Sequence, residues 1–255
     1  MLRQTRSKGD EDNPSFCSLE RKAREGNLAW GERAATLMSA ADPAKWTYIV
    51  LLGGSDTMSF RLRVAQSHLR PDMLPSFWSG TILVNLQGSS LTKARAIDVP
   101  LAQPGGTEFT PRSNGVVERP LADFNDTRRY PNIALLALPV PQQQILDQVE
   151  LFKKSRSTLD ALEHVLRWLA FAWGVARTPN PLHENFGLPS ACMLEIVCAA
   201  AHLDLTPGLE SRASCPEAIW SAARYWHEFY KEFRGAAPVG RYWHPHMFPI
   251  VEPAE

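Results

Sequence analysis

The sequence predicts an α+β domain, with its strands in the first half and its helices in the second. Two observations carry that reading. Between residues 46 and 138 the apolar residues fall in short β-rich runs separated by Gly and Pro, whereas beyond Pro141 they recur at helical spacing. Runs of strands followed by runs of helices define this class. The chain has 255 residues, 44% of them hydrophobic, which is ample for one large core.

The elements follow in order. Residues 1 to 25 mix charges with Gly, Asn, Pro and Ser and are expected to be disordered. A single domain is expected over residues 26–234, opening with a short helix from Leu28 to Ala40. Trp46-Thr-Tyr-Ile-Val-Leu-Leu52, closed by Gly53-Gly54, suits a strand buried on both faces. Phe60 to Leu69 fits either helix or strand until Pro71 and Pro75 end it. Thr81–Leu86, Ala94–Leu101, Gly115–Arg119 and Ile133–Leu138 then complete a mostly antiparallel sheet of about five strands. Ile145, Val149 and Phe152 share one helical stripe, and Leu159, Leu162, Val165, Leu166, Leu169 and Trp173 another. A third helix is expected from about Ser190 to Leu203 and a fourth from Ser214 to about Phe233. Gly235 to Glu255, rich in Pro and aromatics, reads as a tail lying across the surface.

Composition narrows the function. Lys plus Arg and Asp plus Glu both number 27, and a protein built to grip phosphate backbones carries a basic excess, so nucleic acid is not the expected partner. Zero net charge also leaves association unopposed, which suits a subunit of a complex. Cys17, Cys192, Cys198 and Cys215 form no CxxC pair and read as reduced thiols, which points to a cytoplasmic protein. Met1–Ser15 lacks an apolar signal region, and Val165–Ala176 is too short to span a bilayer and contains Arg167. No glycine-rich phosphate loop joins a strand to a helix, so no nucleotide cofactor is expected. Glu195, Cys198 and His202 share a helix face, but Ile196, Val197 and Ala199 beside them favour packing over a metal site. His244-Pro-His246 sits in the aromatic tail and reads as a packed or partner-binding segment.

The sharpest local signal is Ser214-Cys215-Pro216-Glu217. Ser followed three residues later by Glu is a capping box, and Pro fits the first helical turn. Cys215 would then sit at a helix start, where unpaired amides and the helix dipole stabilise a thiolate, with Arg212 nearby. Cys215 is therefore either a nucleophile of lowered pKa or a small buried apolar residue beside a cap.

Taken in order, these runs resemble the permuted papain-like amidase and peptidase superfamily, which includes the lecithin retinol acyltransferase-like proteins and bacterial lipoprotein-peptidase relatives. Trp46–Leu52 looks like its first strand, Thr81–Leu86 its histidine strand, Ala94–Leu101 the strand of the third polar residue, and Ser214-Cys215-Pro-Glu the cysteine helix. Gly115-Val-Val-Glu-Arg-Pro-Leu-Ala-Asp-Phe124 is similar to the segment that follows the third strand, and Ile133–Leu138 looks like the last strand. The match is one of order and spans roughly residues 46 to 226. It implies a thiol hydrolase or acyltransferase without a cofactor. Cys215 would attack an amide, ester or thioester of a peptide, lipid or acyl substrate, and Asp98 would stand in the orienting position. The expected histidine slot is occupied by Gly80 in Trp78-Ser79-Gly80-Thr81, and glycine relays no proton. Either a substitute base serves, with His68 ahead of His183, or the fold is a catalytically inactive one that binds or regulates a protein partner.

Overall fold

The computed structural model describes residues 16–40, 42–88, 90–102, 113–155, 161–233 and 237–245. It is an α+β fold around one seven-stranded sheet. The strands are β1 (Cys17–Ser18), β2 (Thr47–Gly53), β3 (Gly80–Gln87), β4 (Ser90–Asp98), β5 (Val117–Pro120), β6 (Asn132–Leu138) and β7 (Val239–Trp243), in the order β1-β7-β6-β2-β3-β4-β5. Every neighbouring pair is antiparallel except β1 and β7. The helices are α1 (Asn27–Leu37), α2 (Thr57–Ala65), α3 (Gln142–Lys154), α4 (Ala161–Trp173), α5 (Pro189–Ala200) and α6 (Pro216–Phe233).

The continuous apolar runs of β2 and β6 follow from cover on both faces. Alternate residues of β2 serve different cores. Ile49 and Leu51 pack with Ile145 of α3, Trp168 of α4, Leu194 of α5 and Ile219 of α6. Tyr48, Val50 and Leu52 pack with Trp30 and Ala34 of α1. The helices of the second half thus cover one face, and the early helix α1 covers the other.

The five expected runs form β2 to β6, and two further strands extend the sheet. Val239–Trp243 was expected within a surface tail but pairs along β6, with Leu136 opposite Gly240, and Val239 and Arg241 are buried. A Cβ at Gly240 would lie 2.5 Å from the Phe16 ring, so glycine permits that close layer. Cys17 pairs with Arg241, and Leu19 O accepts from Trp30 Nε1 at 2.8 Å. Residues 16–25, expected to be disordered, are thus in place against β7 and α1; the earlier residues lie outside those described. The ambiguous segment resolves as helix α2, capped by Asp56, whose carboxylate accepts from Ser59 N at 2.9 Å.

Candidate functional site

At one end of the sheet the last residues of β2 and β4 meet the first of β3, and a cleft of about 330 Å³ opens there. Gly80, Thr81, Asp98 and Arg119 line it from the sheet. Asp56 and Ser59 line it at the start of α2, and Pro189 and Ser190 at the start of α5. Gly80, the first residue of β3, has open space where a side chain would begin, with nothing within 4 Å of an added Cβ. The start of α5 is pinned to the sheet end by Ser190, whose Oγ accepts from Val99 N and donates to Val99 O, both at 3.0 Å.

Asp98 ends β4 and is buried. The β4–β5 register sets Ala96 opposite Arg119 and Asp98 opposite Val117, so Asp98 and Arg119 are diagonal neighbours on one face. Arg119 Nη2 donates to Asp98 Oδ2 at 2.6 Å. Burial nevertheless outweighs the guanidinium and raises the Asp98 pKa to about 6. Asp98 Oδ1, Arg119 Nε and Thr81 Oγ1 are all buried without a hydrogen-bond partner. A native fold rarely leaves such atoms unmatched, and three here belong to residues that line one cleft.

Cys215 lies elsewhere, among the core residues between α5 and α6, and does not line this cleft. It immediately precedes Pro216, the first residue of α6. The amides of Glu217 and Ala218 do act on its sulfur, as a helix start should, but full burial dominates and pushes the thiol up to about 12. The expected lowering is reversed because the sulfur has no water on any side. The expected capping box is also absent. Ser214 Oγ has no partner, and Glu217 Oε2 instead accepts from Ser76 Oγ at 2.6 Å. The α6 start is capped from a distance by Gln66, whose Oε1 accepts from Glu217 N at 2.9 Å.

The structure does not bring the expected triad together. Asp98 is at the cleft, Cys215 is in the core, and His68 sits on a short 3₁₀ turn (Ser67–Leu69) edge-on to His183, with ring centroids 4.9 Å apart. His68 Nδ1 faces Ala65 O at 3.1 Å. The pKa of His68 is lowered, chiefly by burial and then by His183. The thiol with a neighbouring imidazole is Cys192, 3.9 Å from His164 Nδ1, but that nitrogen is 3.0 Å from Gly187 O and the sulfur donates to Arg212 O at 3.2 Å. Burial raises Cys192 well above the usual thiol range. Glu195 is likewise engaged, accepting from Thr206 N and Oγ1 at 3.1 and 2.7 Å. Among the described residues no group of three or more His, Cys, Asp or Glu is placed to hold a metal ion, and no helix is long and apolar enough to cross a membrane.

Gly80 and Asp98, singled out from the sequence, line the cleft together with Arg119 and Thr81, which the sequence reading did not single out. Opposite charges on adjacent antiparallel runs, at positions 98 and 119, were the available signal for Arg119. No family model, no curated protein and no solved structure matches this chain.

Proposed function

We propose that the chain is a catalytically inactive papain-like scaffold that binds, and that its sheet-end cleft holds an amide-bearing ligand such as a segment of a protein partner. The observation that carries this reading is that Gly80 and Asp98, the two positions matched to the histidine and third polar residue of the resembled family, line one cleft whose polar atoms are left unmatched. A nucleophile serving that cleft would sit on a helix start facing it. Two starts do: that of α2 carries Ser59, whose hydroxyl donates to Asp56 Oδ2 at 2.7 Å, and that of α5 carries Pro189 and Ser190, with the Ser190 hydroxyl engaged by Val99. Among the described residues that line the cleft there is neither thiol nor imidazole. Once a small shift of the lining uncovers them, Asp98 Oδ1 would accept from a peptide N–H and Arg119 Nε would donate to a peptide C=O. Ligand pockets of a few hundred Å³ with few convergent polar groups bind in this manner.

The test is a thermal-shift survey with short N-acetylated peptide amides, run on wild type and Asp98→Ala, alongside mass spectrometry after incubation with activated acyl esters. Stabilisation of wild type that Asp98→Ala loses, with no acyl adduct on Cys215, supports binding. An acyl adduct on Cys215 in folded protein, with turnover, would instead restore the thiol-hydrolase reading.

A further inference from the structure

A second cleft, of about 590 Å³, lies where the first turns of α6 meet Phe16, β7 and the segment before β3. Its walls are aromatic. The His244 ring stacks on Phe77 with centroids 3.7 Å apart at 11°, and on Tyr242 at 5.7 Å and 17°. Trp220 meets Phe16, Trp78 and Tyr242 edge-on at 5.5, 5.3 and 5.1 Å. Such rings present negative faces to a cation. The wall already holds guanidinium groups in this way: Arg70 lies 4.7 Å over Phe77 and Arg224 5.8 Å over Trp220.

Among the described residues the charged groups that line this cleft are of both signs. Asp72, Glu217 and Glu228 line it against Arg70 and Arg224, three carboxylates to two guanidiniums. Arg70 is matched to Asp72, donating from Nε and Nη2 to the two carboxylate oxygens at 2.9 and 2.6 Å. Glu217 is buried; its Oε2 accepts from Ser76, while its Oε1 is 3.8 Å from Arg70 Nη1, beyond hydrogen-bond reach. Burial raises the Glu217 pKa, opposed by Ser76 and Arg70, so a further positive charge beside Oε1 would help to hold this carboxylate in its ionised form.

We infer that this cleft binds a small substituted alkylammonium cation, with its charge beside Glu217 Oε1 and its alkyl groups against the Trp220, Tyr242 and His244 rings. An aromatic wall with a buried carboxylate favours such an ion over a neutral molecule of the same shape, because both ring faces and carboxylate act on the charge. The site is separate from the sheet-end cleft and does not depend on the binding role proposed for it.

The test is calorimetric titration of the full chain with choline chloride, and with dimethylbutanol, its uncharged carbon isostere. Wild type should bind choline saturably and the isostere at least about tenfold more weakly, with Glu217→Gln reducing choline affinity by at least about tenfold. Ser221 lines the same cleft and is exposed on α6. Ser221→Lys places a tethered ammonium in the site and should abolish choline binding without disturbing the core, which keeps the test decisive if Glu217→Gln does not fold. Equal affinity for choline and isostere, no saturable binding by wild type, or unchanged binding in folded Ser221→Lys would each overturn the inference.

Discussion

Gln66 Oε1 accepts a hydrogen bond at 2.9 Å from the backbone amide of Glu217, 151 residues further along the chain, and so caps the helix that follows Cys215. The same amide group donates from Nε2 to Leu62 O and Trp78 O, both at 2.9 Å. One fully buried side chain therefore ties α2, the approach to β3 and α6 together. Replacing it with leucine leaves two carbonyls and an amide unmatched in the core. Gln66→Leu should destabilise the fold by on the order of 2–4 kcal/mol in urea unfolding. Ser214→Ala should change stability by less than about 0.5 kcal/mol, since the Ser214 hydroxyl makes no bond, whereas a working capping box would lose about 1 kcal/mol.

The thiols should separate by burial. Cys17 is half-buried, while Cys192, Cys198 and Cys215 are fully buried. Burial raises all three of the buried thiols, Cys215 to about 12, so none is a thiolate at neutral pH. Under native conditions a chromogenic disulfide should modify Cys17 alone, with the other three appearing only on unfolding. Fast modification of Cys215 in folded protein would mean that the core around α6 opens.

Asp98 should make stability fall as pH rises through the weakly acidic range. Its pKa is about 6 folded against an ordinary 3.8, so the folded state holds the proton more tightly than the unfolded chain. Below about pH 4 both states are protonated and there is no penalty. Between pH 4 and 6 the unfolded carboxyl ionises first, and above pH 6 the full cost of a buried anion remains, on the order of 3 kcal/mol. Asp98→Asn retains an oxygen for Arg119 and should therefore be more stable than wild type at pH 7.5, with the advantage shrinking toward pH 4.5. Chemical unfolding at both pH values checks this. A ligand that donates to Asp98 Oδ1 should reduce the difference at pH 7.5.

The strands were legible because burial on both faces demands unbroken apolar runs, as in Ile49–Leu52 and Ile133–Leu138. The change to helical spacing after Pro141 marked α3 and α4 as helices, but the face read for α4 was wrong: Leu162, Leu166 and Trp173 are exposed, and Ala161, His164, Val165, Trp168 and Ala172 are buried. Strand β7 was hidden because Val-Gly-Arg-Tyr-Trp places a glycine and an arginine in the middle of a strand and lies in a Pro-rich stretch. Its glycine answers the approach of Phe16, a contact no local pattern reports. The cap of α6 was misread for the same reason. Ser214 and Glu217 have the right spacing for a local cap, but Gln66 and Ser76 both bond Glu217 and leave the Ser214 hydroxyl without a partner, and long-range partners leave no mark in spacing. Asp98 and Gly80 were visible through the order of the strands, while the pairing of Asp98 with Arg119 depends on the β4–β5 register.

Gly80 separates a glycine that is structurally free from glycines that are required. A Cβ at Gly53 would lie 2.0 Å from Phe77 O, and one at Gly187 would lie 2.1 Å from Ser214 O, distances that only backbone movement relieves. Gly53→Ala and Gly187→Ala should each destabilise the fold by on the order of 2–4 kcal/mol. At Gly80 nothing lies within 4 Å, and the residue opens into the sheet-end cleft. Gly80→Ala and Gly80→His should therefore fold with stability within about 1 kcal/mol of wild type. The introduced imidazole would share the cleft with Asp98 while the helix starts that line it present Ser59 and Ser190 and no thiol, so Gly80→His alone should gain no acyl-transfer activity. It should, however, fill part of the cleft and weaken any ligand that wild type binds there. Measured side by side, unfolding curves for the four glycine variants and peptide binding by Gly80→His decide whether this position is an open part of a ligand site or a hidden structural requirement. Loss of fold in Gly80→Ala would show the latter.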